Sequence, residues 1–368
     1  MNILYLADPN SIHDLKWISF FSVKRGFKTF ILPRIDHYKY YIKKRQPIDI
    51  EILDPIHDFS ILRFYRTFHD AWRIIRILRR KKIDLIHILY AEPNALWCLF
   101  KKYFRVPIII SCRGTDVLKT IPDAFREKTL INYIVAPAYK AAFLKADVVT
   151  GTSRNQLESI RRFSGRTNKM ELVRTGIELP QEKYTGAFPD ELGDKPYILF
   201  PRYIKPIYNH ELCLEAITLL PEKIKISHAM VFIGKNSGDL QYQNKLEKII
   251  RGIPDAHIIF LPKQKQALFH ELIKRSSLIV MTPRSDGTSV TAMEAMYYKK
   301  PLIVGPNEYD EDVFNKLVTK LADWSADELA NKISFIINDR IKSIEYPMIN
   351  IDLATNMNIL NRIYTIIN

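Results

Sequence analysis

The stretch Thr282-Pro-Arg-Ser-Asp286-Gly287-Thr288-Ser289-Val-Thr-Ala-Met-Glu294-Ala295-Met296 sets two carboxylates, Asp286 and Glu294, on either side of a Gly-Thr-Ser turn. An apolar run ends near Thr282 and reads as a strand; a helix is expected from about Ser289, with Thr288 or Ser289 as its cap. Gly287 permits close approach of a ligand to the backbone. The free amides of the first helical turn, backed by the helix dipole, suit a phosphate. Glu294 falls about five residues into that helix, roughly 8 Å along its axis. An acid before the turn and another inside the helix can grip hydroxyls on both sides of a diphosphate, a sugar on one side and a ribose on the other. Ala292, Met293, Ala295 and Met296 read as buried neighbours, so Glu294 is expected to be buried and to need a partner. The competing reading is a loop acid followed by a solvated helix position.

These residues need strands and helices to hold them, and the pattern supplies both. Strands are expected at Ile3–Ala7, Thr29–Leu32, Leu85–Leu89, Pro107–Ser111 and Val148–Gly151. A second set follows at Tyr197–Pro201, Met230–Gly234, His257–Leu261, Leu278–Thr282 and Leu302–Gly305. Segments of helical spacing lie between them, among them Leu15–Arg25 and Phe68–Lys81. Near-continuous apolar runs separated by amphipathic helices indicate parallel strands covered on both faces. Two successive sets imply two doubly wound α/β domains with a cleft between them. Lys24-Arg25-Gly26 reads as a helix end with glycine in the left-handed cap. A helix is also expected over about Asn350–Ile367.

Charge divides the chain at the same place as the strands. The 368 residues carry a net charge of +15. The first 180 hold 32 Lys and Arg against 17 Asp and Glu, whereas the remainder holds 23 of each. The excess is therefore confined to the first half, which points to an anionic partner there and a different task for the second half. Aromatics interleave with cations in His37–Arg45, Arg73–Lys82 and Phe100–Arg105. That mixture suits an anionic membrane surface, and the alternative is the solvated face of ordinary helices. No nucleic-acid recognition motif accompanies it, so no nucleic-acid partner is expected.

Several function classes drop out. No G-x-G-x-x-G follows the first strand and no Walker loop occurs, which excludes the usual nicotinamide, flavin and P-loop sites. No uninterrupted apolar run reaches about 18 residues, and the opening residues lack the basic start of a signal peptide, so a cytoplasmic location is expected. Cys98, Cys112 and Cys213 are too few and too scattered for a disulfide framework or a zinc site. Asp310-Glu311-Asp312 has a metal-binding form but reads as a solvated acidic loop, and no cofactor or metal is expected. His13 follows the first strand, at the edge where open α/β sheets bind ligands.

The Asp286–Glu294 spacing resembles the E-x7-E signature of glycosyltransferase family 4, with Asp in place of the first Glu. Phe200-Pro-Arg202-Tyr-Ile-Lys205-Pro-Ile-Tyr208 is similar to the segment where that family sets an Arg and a Lys on the donor diphosphate, with Tyr208 where many members carry the Lys. Ser11-Ile-His13 with Trp17, Arg113-Gly-Thr-Asp116, Ala146-Asp147 and Thr175-Gly-Ile177 extend the resemblance over nearly the whole chain. Arg113 stands where many members carry a His that contacts the donor sugar. The resemblance implies the GT-B fold of two facing Rossmann-like domains: residues 1–185 for the acceptor, 186–345 for the nucleotide-sugar, and a C-terminal helix, 346–368, packing back on the first.

It further implies a retaining, metal-independent transfer from a nucleotide-diphosphate-sugar to an acceptor hydroxyl, in surface-glycan synthesis. Asp286, Arg202 and Lys205 would carry the catalysis. Glu294, Gly287, Thr288, Ser289, Arg202 and Lys205 would bind the donor, with His13, Arg113 and Asp116 toward the cleft or acceptor. The acceptor is expected to be a glycan or lipid-linked, with peripheral attachment to the inner membrane face. The rival readings are a nucleotide-sugar 2-epimerase of the same fold and a non-catalytic membrane-associated module.

Overall fold

In the computed structural model the described residues are 1–39, 50–127, 129–180, 184–236, 239–286, 288–339, 341–347 and 351–367. The chain forms two compact units: Met1–Thr175 together with Leu353–Asn368, and Gly176–Asp352.

The first unit is a seven-stranded parallel sheet. Its strands are β1 (Asn2–Leu6), β2 (Lys28–Leu32), β3 (Ile50–Ile52), β4 (Leu85–Leu89), β5 (Ile108–Ser111), β6 (Val148–Gly151) and β7 (Met170–Leu172). They lie in the order β3-β2-β1-β4-β5-β6-β7. Successive side chains of a strand point to opposite faces, and the sequence is apolar on both. Leu4, Leu6, Ile86, Ile88, Ile108 and Ile110 fill one layer. Ile3, Tyr5, Leu85, Ile109 and Val148 fill the other, against Leu353, Met357, Leu360 and Tyr364 of the C-terminal helix Leu353–Ile367.

Two features depart from the expected elements. The single helix expected over Leu15–Arg25 begins earlier, at Ile12, with the Ser11 hydroxyl accepting the Asp14 amide at 3.2 Å. It then widens into a π-helical turn, Phe20–Lys24, before Gly26 at φ +66° reverses the chain into β2. The helix Phe64–Arg80 also starts four residues ahead of its expected position.

The second unit repeats the plan with six parallel strands. These are β8 (Tyr197–Phe200), β9 (Ala229–Lys235), β10 (Ile258–Pro262), β11 (Leu278–Met281), β12 (Leu302–Val304) and β13 (Thr319–Lys320), in the order β10-β9-β8-β11-β12-β13. Phe200, Phe232 and Phe260 occupy matched positions on β8, β9 and β10, and their rings stack at 4.3 and 5.1 Å between centroids. Such same-face aromatic pairs fix the register of three strands at once. In both sheets the strand order reverses beside the first strand, between β1 and β4 and between β8 and β11. Open α/β sheets bind ligands beyond the carboxyl ends of strands at that reversal. The loops after β1 and β4, with that of the adjoining β5, and those after β8 and β11 are therefore the places to look.

Candidate functional site

In the second unit, the loop after β8 carries Arg202 and the loop after β11 leads into the helix Val290–Tyr297. The Arg202 Nη1 donates to Ser289 Oγ at 3.1 Å, which joins the two loops. Ser289 also caps the helix by accepting the Ala292 amide at 3.4 Å, so the expected cap is Ser289 rather than Thr288. The guanidinium rests over the Tyr208 ring, 4.3 Å from its centroid. Behind it, His210 Nε2 lies 3.1 Å from the Arg202 carbonyl oxygen. Burial pushes the His210 imidazole down to about 4, so it is neutral at physiological pH and donates to that carbonyl.

A second arginine, not singled out by the sequence, braces the same loops. Arg284 Nη2 donates to Asn209 Oδ1 at 2.9 Å, and the Arg284 amide donates to the Ile207 carbonyl at 2.8 Å. Asn209 takes a left-handed φ of +54° to make the turn. Asn307 Nδ2 reaches the Pro283 carbonyl at 2.7 Å and Tyr309 Oη at 3.2 Å. Burial raises the Tyr309 phenol, the charge of Asp286 adds to this, and Asn307 and Arg202 oppose it. Tyr309 thus sits within electrostatic reach of Asp286 and Arg202. The Thr288 hydroxyl is out of water and has no hydrogen-bond partner among the described residues. Gly287 lies outside the described residues. Lys205 is exposed, at the start of the short turn Pro206–Tyr208.

Glu294 is buried, 7% exposed, among Ala292, Met293, Ala295 and Met296, which agrees with the sequence pattern. The solvated-helix alternative is thereby excluded. Its neighbour is one the sequence did not reveal: His270 of the helix Gln266–Arg275, with Nε2 3.4 Å from Glu294 Oε1. The amino end of a helix, with the Arg202 guanidinium on its cap and a buried carboxylate behind it, is chemistry for an anion carrying hydroxyls.

In the first unit, Asp116 is fully buried and accepts four backbone amides, those of Ala91 and Gly114 at 2.8 Å, Val117 at 3.0 Å and Arg113 at 3.2 Å. Gly114 stands at φ +144°, which a side chain would resist. Asp116 therefore shapes the loop after β5 rather than facing a ligand. That loop presents Arg113, whose guanidinium stacks on Trp17, 3.8 Å from the ring centroid. Its Nη2 lies 3.4 Å from Asp14 Oδ1, while Nε and Nη1 are out of water with no partner among the described residues. Asp14, which the sequence did not flag, is pushed up to about 6 by burial, with Arg113 opposing the rise. His13 is an exposed residue of the same helix, Ile12–Ser19.

The cationic stretches are used unevenly. Phe64, Phe68 and Trp72 leave 64%, 61% and 52% of their surface in water on the helix Phe64–Arg80. Arg76 lies over Trp72 at 3.5 Å, and Arg79, Arg80 and Lys82 are exposed. Three cations of the predicted surface are instead tied into the fold: Arg73 donates to the Pro55 carbonyl at 2.9 Å, Lys81 pairs with Glu51 at 2.7 Å and Lys101 with Asp147 at 2.6 Å. Residues 40–45 of the first stretch lie outside the described residues. The reading of Asp310–Asp312 as a solvated loop needs correction. Asp310 is buried, 4% exposed, and its carbonyl accepts the amides of Val313 and Phe314. Among the described residues no helix is long and apolar enough to cross a membrane.

Residues 2–153 match a family model described as glycosyl transferase 4-like, and residues 187–348 match one described as glycosyl transferases group 1. An uncharacterized glycosyltransferase of Methanocaldococcus jannaschii is 22% identical over 293 residues, 77% of this chain and 75% of that one. Among solved structures, a glycosyltransferase of Rickettsia africae superposes with a TM-score of 0.77 at 17% identity, over 100% of this chain and 98% of that one. HepE of Anabaena in complex with UDP-glucose gives 0.71 at 13% identity, over 99% of both chains. The lipopolysaccharide outer core galactosyltransferase WaaB gives 0.67 at 14% identity, again over 99% of both.

Proposed function

We propose, for a chain that is a glycosyltransferase of GT-B fold with a 4-like and a group 1 domain, that it moves a sugar from a nucleotide-diphosphate-sugar to an acceptor hydroxyl with retention at the anomeric carbon. The observation that carries this reading is the Arg202–Ser289 hydrogen bond at the amino end of the helix that buries Glu294. It sets a cation and helix amides at one point and a carboxylate about a turn deeper.

In this reading Glu294 accepts from the ribose hydroxyls. Asp286 and the amides of residues 287–289 take the sugar and the adjoining phosphate, and Arg202 with Lys205 and Arg284 takes the diphosphate. As the bond from the anomeric carbon to the leaving phosphate breaks, negative charge grows on the phosphate, where preorganised cations and amides stabilise it most. The acceptor oxygen enters from the same face, and its proton passes to the leaving phosphate oxygen. No protein base and no metal is needed.

Arg113 and His13 of the first unit are assigned to the substrate, and the exposed Phe64, Phe68 and Trp72 with Arg79 and Arg80 to an anionic membrane surface holding a lipid-linked acceptor. Resemblance in fold to a lipopolysaccharide galactosyltransferase supports a surface-glycan acceptor. The experiment is a thermal-shift screen of UDP-, GDP- and ADP-sugars, followed by NMR of the product's anomeric configuration. One donor class should stabilise the protein and yield a retained linkage. An inverted product would overturn retention, and conversion of donor without acceptor would mean an epimerase.

A further inference from the structure

We propose that His270 is a positioning residue that orients the Glu294 carboxylate for a nucleotide ribose, an inference that rests on the donor reading above. Two helices bring them together: His270 on Gln266–Arg275 is 2% exposed, and Glu294 on Val290–Tyr297 is 7% exposed. The His270 Nδ1 lies 3.1 Å from the Tyr298 hydroxyl, the ring centroids 5.7 Å apart. Tyr298 is itself fixed, since its amide donates to the Glu294 carbonyl at 3.1 Å.

The Glu294 carboxylate oxygen that faces Nε2 can only accept, which places the imidazole proton on Nε2 and leaves Nδ1 to accept from the Tyr298 hydroxyl. Nε2 stands 3.4 Å from Oε1, yet it is out of water and lacks an aligned acceptor among the described residues. A buried N–H without an acceptor is costly, and a small rotation of the carboxylate would satisfy it. A carboxylate has two oxygens. With Oε1 drawn to His270, Oε2 is left to accept from the vicinal hydroxyls of a ribose. Tyr298, His270 and Glu294 thus form a relay in which each group fixes the orientation of the next.

The test uses the full-length protein and calorimetric titration with UDP, GDP and ADP, then with the 2′-deoxy and 3′-deoxy forms of the one that binds. The wild type should prefer the ribonucleotide at least tenfold, and Glu294→Gln should abolish that preference. His270→Leu should cut the preference at least fivefold while deoxynucleotide affinity stays within twofold, and His270→Gln, which keeps a donor at the Nε2 position, should restore most of it. Equal losses for ribo- and deoxynucleotides in His270→Leu would make His270 a packing residue and overturn the proposal. So would an unchanged preference. If His270→Leu fails to fold, Tyr298→Phe decides, with a two- to threefold drop in preference expected and no change contradicting it. A preference that survives Glu294→Gln, or no binding of any of the three nucleotides, would overturn the ribose reading itself.

Discussion

The Arg113 guanidinium lies over the Trp17 indole, 3.8 Å from the ring centroid, at the carboxyl edge of the first sheet. The stacking leaves Asp14 as its ion-pair partner at 3.4 Å, in a place from which water is largely excluded. A buried pair of this kind adds little stability by itself but is costly to break.

The pair should be visible as a pH dependence. Asp14 is raised to about 6 in the folded protein, so between the usual aspartate range and pH 6 the folded state holds a proton that the unfolded state has lost. Its contribution to stability therefore falls as pH rises through that window, by up to about 3 kcal/mol. Asp14→Asn removes the titration. Melting curves between pH 4 and 7.5 should show the variant gaining on the wild type up to pH 6 and holding a constant gap above it. A gap that does not move with pH contradicts the assignment.

Ser289 serves both the helix and Arg202, so Ser289→Ala should act on stability and on ligand binding together. Loss of an N-cap costs about 1 kcal/mol, or a melting temperature lower by roughly 2–4 °C for a unit of this size. Nucleotide affinity should fall at least threefold, and Ser289→Thr should recover both. A variant that melts lower but binds as tightly as wild type would show that the Arg202 anchor is irrelevant to the donor.

If Arg202, Arg284 and the helix amides take the diphosphate as proposed, they replace the charge neutralisation of a divalent ion, and sugar transfer should continue in excess EDTA. Loss of activity with rescue by Mg²⁺ or Mn²⁺ would instead make Asp310 and Asp312 candidate ligands.

Vesicle co-sedimentation tests the aromatic-basic face. Phosphatidylglycerol vesicles should bind the protein better than neutral ones and should release it as salt rises, since screening shortens to about 3 Å at 1 M. Arg79→Gln with Arg80→Gln should weaken binding by about 1 kcal/mol per charge, and Phe68→Ser with Trp72→Ser should weaken it further. Lys81 is omitted because Glu51 already holds it. Equal binding to neutral and anionic vesicles would return this face to ordinary solvated helix.

The parts legible in the sequence were those set by local pattern. Ten strands announced themselves as apolar runs, and the helix capped by Ser289 followed from residue type and spacing. The strands that escaped notice, Ile50–Ile52, Met170–Leu172 and Thr319–Lys320, are two or three residues long and show no period. The π-helical turn at Phe20–Lys24 has no sequence signature of its own. Most of all, partners escaped. Asp14 and Arg113, or His270 and Glu294, meet only because a parallel sheet aligns distant loops and helices, and nothing near either residue in sequence names the other. Asp310 misled because its neighbours Glu308, Glu311 and Asp312 are acidic, whereas it is itself buried beside Tyr309, Val313 and Phe314, which are buried too.

The C-terminal helix has a consequence for how the protein is made. Tyr364 Oη sits 2.6 Å from His87 Nδ1, His87 Nε2 2.7 Å from Ser111 Oγ, and Ser111 Oγ 2.7 Å from Thr150 Oγ1, a polar thread across β4, β5 and β6. Burial holds His87 well below its usual range, so this thread is neutral and needs every member. The second unit is continuous in sequence and can fold as soon as it leaves the ribosome. The first cannot: translation supplies its sheet early but withholds the helix that closes one face until the second unit has been synthesised. During that interval the layer of Ile3, Leu85 and Ile109 has Trp17, Ile18 and Phe21 but lacks Leu353, Met357, Leu360 and Tyr364. The order of synthesis thus makes the basic unit, although first to emerge, the last to receive all of its chain.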